Sequence, residues 1–500
     1  MYLKKLISLI FFFAFTGVFA QVDSLKEAQK VQVRYNRDEL RKELDKIFSD
    51  PSFNNSFWGV MVKSLKTGET IYRRNSEKLM HPASIIKLFT TAAAFDILGK
   101  DFRYETVLLA NGTIEKGVLR GDLILKGSGD PTFANKFCGG DSKKLFELWA
   151  DTLIAKGVWA IEGNVIGDDR QFDNNRYGKG WNNELNSQWF SAPSGAISFN
   201  ENIVEIKVSP TKRNFPADII ISPNTSYVVM NPKVVTVDKE TSTDITTTRD
   251  YNSNVITITG RIKENSNTFT DYVSIDDPTT FTMTVLKEVF ENKGIKISGG
   301  VFSINNYSKR IPEENLFPLY KHTSISLTSI INEINKNSNN FFAEQLLRTI
   351  GLEIYNLGSA ENGIKALREL LDEANISPDD LVMVDGSGIS LFNLVSPKQI
   401  VALLSYMYNY GNFKDFKASL PIAGVDGTLA DRMSNTIAEG KVFAKSGYNT
   451  HASSLSGYIR TEMGELLAFS ILLNNYLVPT SLANYIQDNA CIKMVNYKRN

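Results

Sequence analysis

Two textures of apolar spacing alternate along this chain. The first is helical. Residues 36–50 (NRDELRKELDKIFSD) place apolar side chains on one stripe of an otherwise charged segment, which predicts an amphipathic surface helix. Residues 82–99 (PASIIKLFTTAAAFDILG) predict a second helix, with Pro82 suited to its start and Gly99 to its end. Ile85, Leu88, Phe89, Ala92, Ala93 and Phe95 leave this helix almost no polar side, so it is expected to be buried. Between the two lie FWGVMVKSL and ETIYRRN, β-rich runs joined across Lys66-Thr67-Gly68, which reads as hairpin punctuation.

From residue 102 to about 307 the texture changes to short strands with turn-rich connections. YETVLLA, VLRGDLILKG, AIEGNVIGDD, NIVEIKVS, DIIIS and VITITGRI are the strands, with helices at SKKLFELWADTLIAKG and PTTFTMTVLKEVFENKG. After Pro318 helical spacing returns through residues 326–337, 340–355, 363–374 and 396–411. Three strands then follow (KVFAKSG, SSLSGYIRT and LLAFSILLNN), and a last helix from about residue 480. With the early hairpin these make five strands, expected as one antiparallel sheet with helices on its faces, an α+β fold. The two ends of the chain thus predict one discontinuous domain, residues 21–101 and 310–500. Residues 102–309 read as a mostly β insertion built of two small domains.

Composition narrows the classes. At 500 residues the chain is longer than one core supports. Fifty-five basic residues balance 55 acidic ones without a basic tract, so nucleic acid is not an expected partner. Lys4 and Lys5 precede an apolar run to Phe15, and Val18-Phe19-Ala20 supplies a small-residue cleavage site. Residues 1–20 are therefore read as an export signal cut after Ala20, too short in its apolar part for a membrane span. No later segment suits a span. The two cysteines, Cys138 and Cys491, fall in different predicted domains and are expected as separate thiols. His81, His322 and His451 are scattered without ligand spacing, so no metal site is expected.

Candidate chemistry lies in three short stretches. Ser84 and Lys87 are three apart at the start of the buried helix, hence on one face. A serine needs a base, and a lysine serves as one when burial or the positive end of a helix dipole keeps it neutral. Ser-x-x-Lys recurs at Ser209 to Lys212, where no apolar helix follows. Ser338 and Asn340 sit in a polar link between two helices, suited to proton relay and to holding a carbonyl or the lysine, although taken singly helix capping explains them better. Lys445-Ser446-Gly447 closes a strand, where a lysine and a hydroxyl can bind a carboxylate and Gly447 leaves room for a peptide-like substrate. The backbone N–H groups of Ser84 and Tyr448 are a candidate oxyanion hole.

In this order, Ser-x-x-Lys, Ser-x-Asn and Lys-Ser-Gly resemble the motifs of the serine penicillin-recognising enzymes. LKGSGDPTF (125–133), QWFSAPSGAISFNEN (188–202), VDGSGIS (384–390) and LPIAGVDGTLADRM (420–433) are similar to stretches of their D-alanyl-D-alanine carboxypeptidase/endopeptidase family, the class C low-molecular-mass penicillin-binding proteins. The resemblance implies a penicillin-binding-protein or serine β-lactamase-like catalytic domain carrying that family's insertion. It implies Ser84 as acylated nucleophile and Lys87 as its base. Ser338 and Asn340 would then serve proton transfer and positioning, and Lys445 with Ser446 the substrate carboxylate. It also implies peptidoglycan peptides as substrates, β-lactams as covalent inhibitors, no metal or organic cofactor, and a place in the periplasm or cell envelope. Asn339 stands where the family commonly has Asp, and Ser446 where Thr is usual. Asp385 to Gly388 either shape the cleft or form only a tight turn, and His451 either lines the cleft or is an ordinary loop residue; the turn and the loop residue are the favoured readings. A β-lactamase and a catalytically silent wall-binding protein are the rival readings.

Overall fold

The computed structural model describes residues 34–309 and 311–499; the expected export signal lies outside them. One antiparallel sheet runs in the order Val442–Asn449, Ala452–Arg460, Leu466–Asn474, Phe57–Ser64, Thr70–Arg74. All four pairings are antiparallel, as the five expected strands require. The strand Leu466–Asn474 explains why its sequence is nearly all apolar. Leu467, Phe469, Ile471 and Leu473 face one apolar cluster, while Ala468 and Leu472 face another. A sheet covered on both faces loses the usual apolar-polar alternation.

On the first face lie Arg37–Ile47 and Thr480–Val495, contributing Leu40, Leu44, Ile486 and Met494. On the second lie Leu327–Lys336, Asn340–Tyr355 and Pro397–Asn409, packed around Phe89, Phe95, Leu346 and Leu404. The segment 82–99 is buried as expected but is not one α-helix. Ala83–Ile86 is a 3-10 turn, and the α-helix is Lys87–Ile97. The reason is local. Ala83 adopts a positive φ of 49°, and the Pro82 carbonyl is held by the Ser454 hydroxyl at 2.7 Å. Ala83 therefore cannot join an α-helix, and the Pro82 carbonyl accepts from Ile85 N at 3.3 Å, a bond of 3-10 span.

Between the two parts of this layer the chain builds three further sheets. The largest contains Glu105–Glu115 and Val118–Lys126 at its centre, with helices Lys143–Ala155 and Pro278–Asn292 contributing to the same core. Two three-stranded sheets follow, and one apolar cluster drawn from Leu108 to Leu319 serves all three. The strand Leu316–Thr323 pairs antiparallel with Glu105–Glu115, so strand pairing carries the inserted layer past residue 310. Among the described residues no helix is long and apolar enough to cross a membrane.

Candidate active site

The tight turn 83–86 presents Ser84 at its exposed side and sends Lys87 inward as the first residue of the buried helix. Lys87 Nζ lies 3.1 Å from Ser84 Oγ, 2.6 Å from Asn340 Oδ1 and 2.5 Å from the Ser387 carbonyl. The side chain is fully buried, and that burial lowers its pKa to about 7, against the opposing pull of the Asp385 and Glu344 charges. As a neutral amine it has two N–H groups, which Asn340 and Ser387 accept. Its lone pair is then left for the Ser84 hydroxyl.

Asn340 starts the helix Asn340–Tyr355, and its Nδ2 donates to the Phe190 carbonyl at 2.8 Å, which fixes the amide with Oδ1 toward Lys87. Ser338 stands two residues earlier with φ of 57°, so its hydroxyl leaves the helix direction and meets Lys445 Nζ at 2.8 Å. Asn339 caps the helix, its Oδ1 accepting from Phe342 N at 3.0 Å, while its Nδ2 donates to Glu201 at 2.7 Å. A neutral amide there is suited to a carboxylate neighbour, which gives a physical reason for the departure from Asp.

Lys445 is fully buried, and it also donates to the Ser446 carbonyl at 2.7 Å. Its pKa is depressed well below that of an ordinary lysine, first by burial and then by the Lys87 charge. Ser446, Gly447 and Tyr448 border the opening itself. The room at Gly447, however, is not left free for a substrate. A Cβ there would lie 2.9 Å from both Pro82 O and Ser84 N, so the strand needs glycine to let the Ser84 turn approach.

Ser84, Ser338, Asn340, Ser446, Gly447 and Tyr448 thus share one cleft of about 690 Å³. Its outer wall includes Asn182, Leu185, Trp189 and Phe190 from the inserted region. Several contributors lie outside the three short motifs. The Ser387 carbonyl holds Lys87, and any residue type can supply a carbonyl. Gly388 packs against Ala83 and Ser84 so closely that a Cβ would meet Ala83 O at 2.1 Å. Residues 385–388 therefore form part of the site as well as a turn. Thr428 borders the cleft, and its Oγ1 accepts a hydrogen bond from Ser446 Oγ at 2.7 Å; the stretch 420–433 was visible in the sequence, but its chemistry was not.

The remaining candidates lie elsewhere. Lys66-Thr67-Gly68 is the hairpin turn at the opposite edge of the sheet, with Gly68 at φ of 76°. Ser209 ends a strand of the inserted region and pairs with Thr268, and Lys212 is exposed. His451 occupies the hairpin beside the cleft strand, its Nδ1 2.9 Å from the Tyr476 carbonyl. Cys138 and Cys491 are both free, the former half-buried and the latter buried.

Comparison with known proteins agrees with this geometry. The chain is 32% identical over 470 residues to a D-alanyl-D-alanine carboxypeptidase of Actinomadura sp. (strain R39), covering 92% of this chain and 85% of the relative. It is 27% identical to the D-alanyl-D-alanine carboxypeptidase DacB of Haemophilus influenzae, over 84% of this chain and 85% of the relative. The crystal structure of penicillin binding protein 4 (dacB) from Haemophilus influenzae superposes with a TM-score of 0.77 at 25% identity, covering 89% of this chain and 97% of that one. The profile of the D-Ala-D-Ala carboxypeptidase 3 (S13) family matches residues 40–497, and with the folded domain and its serine–lysine cleft in place the chain belongs to that family.

Proposed function

We propose that this cleft cleaves the bond between terminal D-alanines of peptidoglycan stem peptides through an ester on Ser84. The observation that carries the reading is the convergence of Ser84, Asn340 and the Ser387 carbonyl on one buried amine, Lys87 Nζ. Ser84 Oγ attacks the scissile carbonyl while its proton passes to Lys87. The developing oxyanion is received by the backbone N–H groups of Ser84 and Tyr448, both at the cleft surface. The Ser338 hydroxyl, held by Lys445, relays the proton to the departing D-alanine amine. The terminal carboxylate rests against the hydroxyls of Ser446 and Thr428, with the Lys445 amine buried behind them. Water then hydrolyses the ester and frees Ser84.

The same groups cleave a D-alanyl bond whose leaving amine belongs to a cross-linking diaminoacid, so endopeptidase action is part of the proposal. A β-lactam presents a strained amide in place of that bond and acylates Ser84. The export signal read in residues 1–20 supports action in the periplasm or cell envelope, where such peptides occur.

Intact-mass measurement after penicillin treatment, with peptide mapping of the adduct, tests the assignment. One adduct on the peptide containing Ser84 is expected, absent in Ser84→Ala. An adduct on another residue, or undiminished D-alanine release by Ser84→Ala, overturns it.

A further inference from the structure

Behind the serine–lysine pair lies a carboxylate that takes no part in the reaction above. Asp385 is fully buried and accepts four hydrogen bonds. Its Oδ1 receives Gly388 N at 2.9 Å and Asn393 Nδ2 at 2.7 Å. Its Oδ2 receives Ser390 N at 2.7 Å and the Trp181 indole N–H at 2.9 Å. We propose that Asp385 is a positioning residue for Lys87: it fixes the peptide joining Ser387 to Gly388, whose carbonyl holds the lysine, and ties that peptide to the cleft wall through Trp181. The inference rests on the reading of Ser84 and Lys87 given above.

The argument turns on one peptide unit. Its N–H points to Asp385, and its C=O points to Lys87 Nζ at 2.5 Å. Because an amide is conjugated, donation to an anion at one end strengthens the acceptor at the other. Glu344 Oε1 accepts from Gly386 N at 2.9 Å and Ser387 N at 2.8 Å, and the Thr90 hydroxyl donates to the Gly386 carbonyl at 2.9 Å. Those bonds hold the neighbouring peptide units, whereas Asp385 bonds the unit that touches the lysine. Trp181 belongs to the stretch that supplies Gly180, Asn182 and Leu185 to the cleft wall. Its indole therefore couples the seating of that wall to the placement of the base.

A purely structural role and a positioning role differ in the pH profile. The charges facing Lys87 are Asp385 from this turn, Glu344 from the helix with Arg348 beside it, and Lys445 from the cleft strand. The Asp385 charge favours the protonated lysine, and after burial it helps raise the pKa of Glu344 to about 7, so removing it shifts both neighbours and displaces the acid limb of acylation. Loss of folded protein alone lowers the amplitude and leaves the limb in place.

The test measures β-lactam acylation of the full chain against pH, with the adduct mapped, in wild type, Asp385→Asn and Trp181→Phe. In Asp385→Asn the plateau rate is expected to fall on the order of tenfold to a hundredfold, with the acid limb displaced from its wild-type position. A limb that stays at the wild-type position overturns the proposal, whatever the plateau. Should Asp385→Asn fail to fold, Trp181→Phe decides: slower acylation at an unchanged melting temperature supports the link, and unchanged acylation overturns it. A wild-type adduct away from Ser84 overturns the reading of the nucleophile and this inference together.

Discussion

Gly447 and Ser84 approach each other so closely that a single methyl group on the glycine would lie 2.9 Å from the serine nitrogen. The cleft strand and the Ser84 turn are thus mutually seated by the lack of a side chain. Gly447→Ala must push the strand away from the turn, separating the two N–H groups proposed for the oxyanion. Acylation is expected to slow on the order of a hundredfold, while stability falls by about 1–3 kcal/mol. Stopped-flow acylation and thermal unfolding on the same preparation check both. A large stability loss with near-normal acylation of the surviving folded protein would contradict this geometry.

The pH dependence follows from Lys87. Its pKa is lowered to about 7 by burial, and only the deprotonated amine accepts the Ser84 proton. The amine fraction grows as pH rises, so acylation is expected to climb through about pH 7 and level above it. The second-order rate constant for a β-lactam, measured between about pH 5 and 9, reports the free enzyme directly. A rate that is flat below neutrality, or that falls as pH rises through it, contradicts Lys87 as base.

The motifs were legible because their chemistry resides in side chains close together in the chain. Ser84 with Lys87, Ser338 with Asn340, and Lys445 with Ser446 each lie on one strand or across the start of one helix. The contribution of residues 385–388 was not legible, because Lys87 is met there by a main-chain carbonyl and Gly388 reads as any tight turn would. The five-stranded sheet was readable from apolar runs long enough to be buried on both faces. The strand Leu316–Thr323 was not, since Pro318, Lys321 and His322 interrupt its apolar positions, and its register shifts between Pro318 and Tyr320. The 3-10 turn at 83–86 was hidden because apolar spacing over one turn does not separate it from an α-helix.

Asn339 gives a prediction about charge. Its Nδ2 donates to Glu201 at 2.7 Å and Glu333 at 3.3 Å, and Lys136 bridges the same two carboxylates at 2.7 and 2.6 Å. Asn339→Asp keeps the helix cap but sets a third carboxylate against the pair. The new acid would have its folded-state pKa raised by those like charges, so its cost is present at high pH and relieved as pH falls through that value. A loss of about 1–3 kcal/mol near pH 8, shrinking in acid, is expected. Melting curves of both proteins at about pH 8 and pH 5 measure it. An equal deficit at the two values would mean that repulsion is not its source.

Lys445 carries the last prediction. Burial, followed by the Lys87 charge, depresses its pKa well below that of a free lysine, yet the substrate carboxylate is proposed to rest just in front of it. An arriving anion favours the ammonium form, so a D-alanyl-D-alanine peptide should bring a proton with it at pH values where the free enzyme holds Lys445 neutral. Ser84→Ala permits the measurement without turnover. Calorimetry from about pH 7 to pH 10 in buffers of different ionisation enthalpy is expected to show proton uptake that grows as pH rises, because the observed heat then varies with the buffer. Lys445→Met should abolish that variation and weaken binding on the order of tenfold to a hundredfold, the scale of one charge-assisted hydrogen bond. Heats that are independent of buffer, together with unchanged affinity in Lys445→Met, would remove Lys445 from carboxylate recognition and leave it the support of Ser338 alone.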